Sequence, residues 1–478
     1  MSPLLLLSLI GCGDKETDSA VTDTTDTTDT TDTTDTTDTT DTTDTDTTDT
    51  GDQAPLQATG WSLHPDHGSL AYVTWEQDFD GEASVRFTVD GMTHTTPARA
   101  TSAGSNQQLI VGIPYGKTAS WVVTVTDLAE AVEYSASGED IATEGLPSDF
   151  PVPVVTASSP DKWLSDGNYL LTSINEDDGG WTQGTYWTFI MDRQGQVVWA
   201  NETPQSNWTL FAQVSVTGDH ILWDEATKWS QFDSGAASTV HRVYLDAEIE
   251  ELATPGLHHA FVQLPDETLV WGSKYHHSTE ALVEMSLDDR EIDVLWTCGD
   301  SWESVTYCES NGLFYVEATN SFLYSFYTNN SLVEVDRDSG ESMWWAGMVD
   351  NGYEFDPEDH QFDWQHGVSY TDTGSLLVST RYNTESSGNT TMLREYTVDQ
   401  KTGVLTSIWE YDPGIHAGTN GDAWRLDNGN TLHVIGSAGH VVEVTPEGEE
   451  VWHVTFNDNF LMGRGELIED LYTLVSPE

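Results

Sequence analysis

The stretch NSFLYSFYTNNSLVEVDRDSGESMWWA (Asn320–Ala346) decides the fold. It reads as three strands in succession: an apolar run after Asn320, SLVEV from Ser331, and the Trp-bearing SMWWA from Ser342. Short polar turns, YTNN and DRDSGE, separate them. Runs of this length bounded by Asn, Asp and Gly are strand-and-turn signals, too short for helices. The same plan recurs with a period of about fifty residues. The apolar runs are GNYLLTS at Gly167, GDHILWD at Gly218, ETLVWGS at Glu267, NSFLYSF at Asn320, GSLLVST at Gly374 and GNTLHVI at Gly429. Second strands such as ALVEM and HVVEV follow most of them, and then Trp-bearing strands QVVWA, DVLWT, SIWEY and EVWHV. Repeats of several short strands predict the blades of a β-propeller, and the count is six. The last unit is short, so ELIEDLYTLV (Glu466–Val475) or a strand before Gly167 is expected to complete the ring. The recurrent Trp residues are read as packing between blades.

Outward from the repeats, the expected fold class is all-β throughout: an N-terminal β-sandwich, then the six-bladed propeller over residues 148–478. Residues 54–147 alternate with period two in AYVTW, ASVRFTV, QQLIVGI and SWVVTVTD, the pattern of half-buried strands. The stretch Leu109–Trp121 resembles the turn between the fifth and sixth strands of a fibronectin type III domain, with Trp121 where that family has Tyr. GLPSDFPVPVV (Gly145–Val155) reads as a Pro-rich linker.

The N-terminal segments carry no core. Residues 1–12 end in Leu9-Ile10-Gly11-Cys12, which looks like a lipoprotein signal with Cys12 as the acylated residue, although a basic stretch before the apolar run is missing. Residues 13–53 are dominated by an Asp-Thr-Thr repeat between Thr22 and Thr50. With like charges at every third position and no apolar side chain there, it is expected to be an extended tether. Together these predict a bacterial envelope protein, anchored to membrane only by lipid. Cys298 and Cys308 remain, and an exported chain is expected to join them in a disulfide; free buried thiols are the alternative.

Composition excludes some functions. Of the 478 residues, 81 are acidic and 16 basic, a formal net charge of −65. Such a chain repels phosphate backbones, so nucleic acid is not an expected partner. The doublets His258-His259 and His276-His277 lack zinc-site spacing, so no metal is expected. No phosphate loop, nucleophile elbow or dinucleotide fingerprint is present, and no cofactor is expected.

Chemistry is expected where propeller strands converge. His259, His366 and Asp422 stand ten residues before Leu269, Leu376 and Leu432, which predicts similar heights around one axis. Lys274, Arg381 and Ser437 stand five residues after the same leucines. Two cations in matched positions of so acidic a chain would reverse the local field and suit an anion.

Four segments, in order, carry a resemblance: GLHHAFVQLPDETLVW from Gly256, ESNGLFYVEATNSFLYSFYTNNSLVEVDRDSGESMWWAG from Glu309, FDWQHGVSYTDTGSLLVSTR from Phe362, and GDAWRLDNGNTLHVIGSAGHVVEVTPEGEEVW from Gly421. They look like the arylsulfotransferases, bacterial six-bladed propellers that move a sulfuryl group between phenols. The resemblance implies a small aryl sulfate and a phenolic acceptor as partners. It implies that His366, in Gln365-His366, is the nucleophile, and that His259 helps to hold the sulfuryl oxygens. The family's His-x-Asn becomes Glu309-Ser310-Asn311, and its Arg after a Ser-containing strand becomes Tyr327. Arg381 is then expected to compensate, with Lys274, Asn311, Glu309 and Tyr327 as substrate neighbours and Glu309 available as a general base. A propeller that binds a ligand or another surface protein without catalysis is the alternative. A quinone-dependent dehydrogenase is a third reading, disfavoured by six blades and no evident cofactor pocket.

Overall fold

The computed structural model describes residues 54–175, 185–203, 207–226, 238–247, 249–302, 304–384, 388–456 and 460–477. Cys12 and the tether fall outside them. Residues 54–478 form one compact unit, almost entirely of antiparallel strands.

Its first part holds two sheets. Leu56–Leu63, Ala71–Gln77 and Gly104–Ile110 pair antiparallel in one. Met92–Thr95, Gly81–Val89, Thr118–Asp127 and Glu133–Ser137 pair in that order in the other. Period-two alternation sends Val73 and Trp75 from the first sheet, and Val85, Phe87 and Trp121 from the second, into a single core. Trp121 is buried there, and its indole N–H donates to the Glu139 carbonyl at 2.8 Å.

Among the described residues six further sheets follow, each built on four antiparallel strands. Sheet 2 is Ala212–Val214, Ile221–Glu225, Thr239–Val243 and Glu250–Ala253. Sheet 3 is Leu257–Gln263, Leu269–Ser273, Ala281–Met285 and Ile292–Thr297. Sheet 4 is Ser310–Val316, Ser321–Phe326, Ser331–Asp336 and Ser342–Gly347. Sheet 5 is Asp363–Tyr370, Leu376–Thr384, Gly388–Asp399 and Val404–Tyr411, with Glu354–Asp356 parallel to its last strand. Sheet 6 is Asp422–Arg425, Thr431–Ile435, His440–Val444 and Glu450–Thr455. Sheet 1 joins the two ends of the chain: Met462–Ile468 leads, and Tyr169–Asn175, Tyr186–Asp192 and Val197–Thr203 follow it.

Apolar side chains fill the spaces between successive sheets. Trp199 of sheet 1 packs with Trp223 of sheet 2, Leu222 with Trp271 of sheet 3, and Trp296 with Phe326 of sheet 4. Trp344 packs with Leu376 of sheet 5, Leu377 with Val442 of sheet 6, and Trp452 of sheet 6 with Phe189 of sheet 1. The order closes on itself, as in a β-propeller. Each buried indole removes about 200 Å² from water, worth up to about 5 kcal/mol before ordering costs are subtracted. The Trp residues of the repeats therefore hold neighbouring sheets together.

Two sequence expectations are refined. The C-terminal ELI supplies the closing strand, while the following Leu471 and Leu474 pack with Leu70, Leu109 and Val111. The stretch read as a linker is not free chain. Phe150 is buried on Trp187 and Phe189, and Val154–Ser158 adds a fifth strand to sheet 6 against Glu450–Thr455. Cys298 and Cys308 are joined in a disulfide, both buried in the core between sheets 3 and 4.

Candidate functional site

Among the described residues, the leading strands of the six sheets, or the residues just before them, meet at one narrow cavity too tight to admit a water molecule. Sheet 2 contributes Leu210 and Phe211, sheet 3 His259, sheet 4 Asn311, sheet 5 His366, sheet 6 Asn420 and Gly421, and sheet 1 Gly463 and Arg464. Two glycines permit this convergence. A Cβ on Gly367 (φ +36°) would overlap the Asp422 backbone, and one on Gly463 would overlap the Leu210 carbonyl.

The histidines face the cavity because their strands are irregular. Pairing between Leu257–Gln263 and its neighbour slips between Leu257 and Phe261, and His259 takes a left-handed backbone (φ 66°). Pairing of Asp363–Tyr370 slips on both sides of His366, with φ 45° at Trp364. Such bulges re-aim side chains, and strained residues of this kind collect at functional sites.

His366 bonds through Nδ1 to the Trp364 carbonyl at 3.1 Å. A carbonyl only accepts, so Nδ1 carries the proton and Nε2 keeps its lone pair. Burial pushes the imidazole down to about 4; the Arg381 charge adds to this and the Trp364 carbonyl opposes it. His259 sits edge-to-face with His258, ring centres 3.8 Å apart. Burial, with His258 and His366 nearby, holds it well below its usual value despite Glu309. Both rings are thus neutral near pH 7.

Asn311 and Gln365 lock sheet 4 to sheet 5. Asn311 Nδ2 donates to the Gln365 carbonyl at 2.5 Å, and its Oδ1 accepts from Ser325 Oγ at 2.9 Å. Gln365 Nε2 donates to the carbonyls of Ser331 and Phe326 at 3.0 and 3.1 Å.

Beside the cavity, Lys274 Nζ meets Glu309 Oε1 at 2.7 Å, both side chains under a tenth exposed. Tyr327 OH donates to the other carboxylate oxygen, and Lys274 lies 4.1 Å over the Tyr307 ring. Burial works against the Glu309 charge, but hydrogen bonds from Lys274, Tyr307 and Tyr327 and the Lys274 charge outweigh it. The carboxylate is held below its usual range, which makes it a weak base. That corrects the expectation of Glu309 as a general base, and it leaves Lys274 engaged with a carboxylate instead of open to an anion. Tyr327 itself faces Trp364 and His259, with ring centres 5.6 and 6.4 Å away. Arg381 lies 4.4 Å over the Trp364 ring, half-buried, and makes no ion pair among the described residues.

Equal spacing misleads at sheet 6. Asp422 turns its carboxylate to Ala423 N at 3.0 Å and Trp424 Nε1 at 2.5 Å, with Arg464 Nε 3.5 Å away. Ser437 Oγ accepts from Gly418 and Thr419 N–H, at 2.7 and 3.1 Å. Both are structural. The group that sequence reasoning missed is Arg464, which reaches the cavity from the closing strand. Its rarity as one of 16 bases, between Gly463 and Gly465, was the available signal. Among the described residues no group of three His, Cys, Asp or Glu side chains is arranged to hold a metal.

No protein-family model matches this chain, and no curated protein matches it. Among solved structures, a Pseudomonas aeruginosa periplasmic gluconolactonase is 11% identical with a TM-score of 0.40, covering 81% of this chain and 99% of that one. The β-propeller domain of Myceliophteria thermophila Cps50 (Swd1) is 12% identical with a TM-score of 0.38, covering 64% of this chain and 87% of that one. A Bacteroides caccae protein of unknown function is 11% identical with a TM-score of 0.40, over 62% of this chain and 99% of that one. Likenesses this distant carry no inference about activity.

Proposed function

We propose that residues 148–478 are a six-bladed propeller whose axis transfers a sulfuryl group from an aryl sulfate to a phenol, with His366 as nucleophile. Residues 54–147 are then a fibronectin type III-like sandwich, and a three-stranded sheet sharing one core with a second, six-stranded sheet supports that. Cys12 and the tether make the protein a lipid-anchored envelope enzyme in this reading.

One observation carries the proposal: a neutral imidazole with its lone pair on Nε2 sits at a cavity that also holds His259 and Arg464. His366 Nε2 attacks sulfur, the sulfur–oxygen ester bond breaks, and the phenolate departs with the bonding pair. The acceptor oxygen then attacks the sulfur of the sulfohistidine, the nitrogen–sulfur bond breaks back to Nε2, and the acceptor's proton passes to solvent. Splitting one displacement into two is the gain of covalent catalysis. Arg381 and His259 serve the non-bridging oxygens, where removing one donor costs on the order of 10²-fold in rate.

The second reading, a binding propeller without catalysis, is favoured by one observation. Lys274 is consumed by Glu309 just where the resemblance implies a His. The discriminating experiment supplies 4-nitrophenyl sulfate and phenol to the purified protein. Release of 4-nitrophenol that His366→Ala abolishes, with the thermal midpoint unchanged, supports transfer. No release with any phenol tried, or full release by His366→Ala, refutes it.

A further inference from the structure

We propose that the cleft between residues 81–95 and sheet 1 binds a small organic ammonium ion, with Asp192 as its counter-charge and an apolar wall for its body. The cleft shares no lining residue with the axial cavity, and the proposal does not rest on the sulfotransferase reading. About 330 Å³ is open to small molecules there, the size of an ordinary ligand pocket. Met92 and His94 line it from one side, Trp163 and Asp192 from the side of sheet 1, and Glu469 and Asp470 from the segment after the closing strand.

The lining selects a cation. Arg193 is the only arginine or lysine in it, and its charge is already matched. Its Nη2 donates to Glu443, both side chains at most 3% exposed, and the guanidinium lies 4.8 and 4.5 Å from the ring centres of Trp163 and Trp452. Asp90 pairs with Lys117 at 2.6 Å. Asp192, Glu469 and Asp470 have no ion pair among the described residues. Three carboxylates around one space repel an anion and attract a cation. Met92, Trp163 and Tyr169 are only part-buried, and aromatic rings favour a cation that carries an apolar body.

Asp192 is the second, independent observation. It is 8% exposed, and its Oδ1 accepts from Gln194 and Gln196 N–H at 2.9 and 2.8 Å, whereas Oδ2 has no partner among the described residues. The turn does not call for a buried charge, since Asn serves such a turn as well. Asp399 makes a similar turn in sheet 5, exposed to water, and hydrogen bonds from Thr402 and Lys401 hold its carboxyl below the usual range. At Asp192 burial outweighs the turn's bonds and the Lys117 charge, Asp90 adds to it, and the carboxyl is pushed up to about 6. A buried carboxylate oxygen without a donor costs stability, and an ammonium N–H completes it.

Isothermal titration of the full chain with benzylammonium chloride, sodium chloride holding ionic strength constant, tests this. One saturable site is expected, with benzyl alcohol and sodium benzoate at least tenfold weaker. Asp192→Asn keeps the turn, removes the charge and should weaken benzylammonium at least tenfold at pH 7. Proton linkage gives a second readout. With a pKa of about 6, the charged fraction of Asp192 rises from about 9% at pH 5 to about 91% at pH 7, so wild-type affinity should tighten roughly tenfold over that range. Asp90, Lys117, Tyr169, Glu469, Asp470 and the Arg193–Glu443 pair also stand around the cleft, as does His94, which burial holds below its ordinary value. Any slope they cause persists in Asp192→Asn, and the slope lost in that variant is due to Asp192. No saturable heat, equal affinity for benzyl alcohol or benzoate, or wild-type affinity and slope in Asp192→Asn overturns the site.

Discussion

The state of His366 gives a pH profile that an ordinary histidine cannot. If His366 is the nucleophile, as proposed, it must be neutral, and the active fraction is lost as pH falls through its pKa. Burial and Arg381 bring that pKa from 6.5 to about 4. At pH 5.5 an imidazole of pKa 6.5 is about 9% neutral, whereas one near 4 is about 97% neutral, a roughly tenfold difference in active nucleophile. Initial release of 4-nitrophenol from its sulfate ester should therefore stay level from pH 7 down to about 5 and fall with a midpoint near 4. Aliquots quenched into alkali report the product at every pH, and tryptophan fluorescence verifies that the protein is folded. Arg381→Gln supplies a second arm. Removing the charge that disfavours the imidazolium should move the midpoint upward. A wild-type rate that halves near pH 6.5 would mean that His366 is not desolvated during turnover, and the reasoning from burial would fail.

Four further outcomes are expected. Asp224 is buried, accepts from Leu210 and Phe211 N–H at 2.8 and 2.7 Å, and burial raises its pKa to about 7. A raised folded pKa means stability present at low pH and lost as pH climbs from about 4 through about 7, so Asp224→Asn should gain on wild type across that window. The gain is up to about 4 kcal/mol by urea titration at pH 8. Glu309→Gln removes the carboxylate that meets buried Lys274 and should cost roughly 3–5 kcal/mol by denaturant titration, much of it regained on adding Lys274→Met. The Cys298–Cys308 disulfide spans ten residues, so native unreduced protein should resist alkylation at both. Reduction should lower stability by about 3 kcal/mol in the loop-entropy model. Cys12→Ala should move the protein from the membrane fraction to the soluble one, with loss of palmitate labelling.

The repeats were legible because strands of a meander are local in sequence. Every apolar run from GNYLLTS to GNTLHVI falls on a strand, and ALVEM, SLVEV and HVVEV are the strands that follow. What local patterning could not reveal is pairing across hundreds of residues. Val154–Ser158 has the look of linker because Pro151 and Pro153 precede it. Its partner is Glu450–Thr455, and only the folded chain brings an edge there that needs covering. The leading strand of sheet 1 raised the same difficulty, since it comes from the opposite end of the chain from the strand it pairs with.

At the site, spacing found the two histidines and failed at Asp422 for a definite reason. A ten-residue offset fixes a height along the axis but not which way a side chain points. His259 and His366 lie in slipped pairings that turn them into the cavity, whereas Asp422–Arg425 pairs with Thr431–Ile435 in unbroken register. A bulge has no period and leaves little mark in sequence; Gly367 after His366 is one such mark. Arg464 escaped because the closing strand has no earlier copy in its own unit against which an offset could be measured. The Lys274–Glu309 pair escaped because its partners sit on different sheets. Sequence offered a lysine as an anion ligand and a glutamate as an anomaly, and the structure makes each the reason for the other. A carboxylate beside an anion site is tolerable only if a cation neutralises it, so the lysine cannot also serve the anion. In the transfer reading the cationic duty then falls to Arg381 at the Trp364 rim, which has no ion pair among the described residues, whereas Arg464 on the axis faces Asp422 at 3.5 Å.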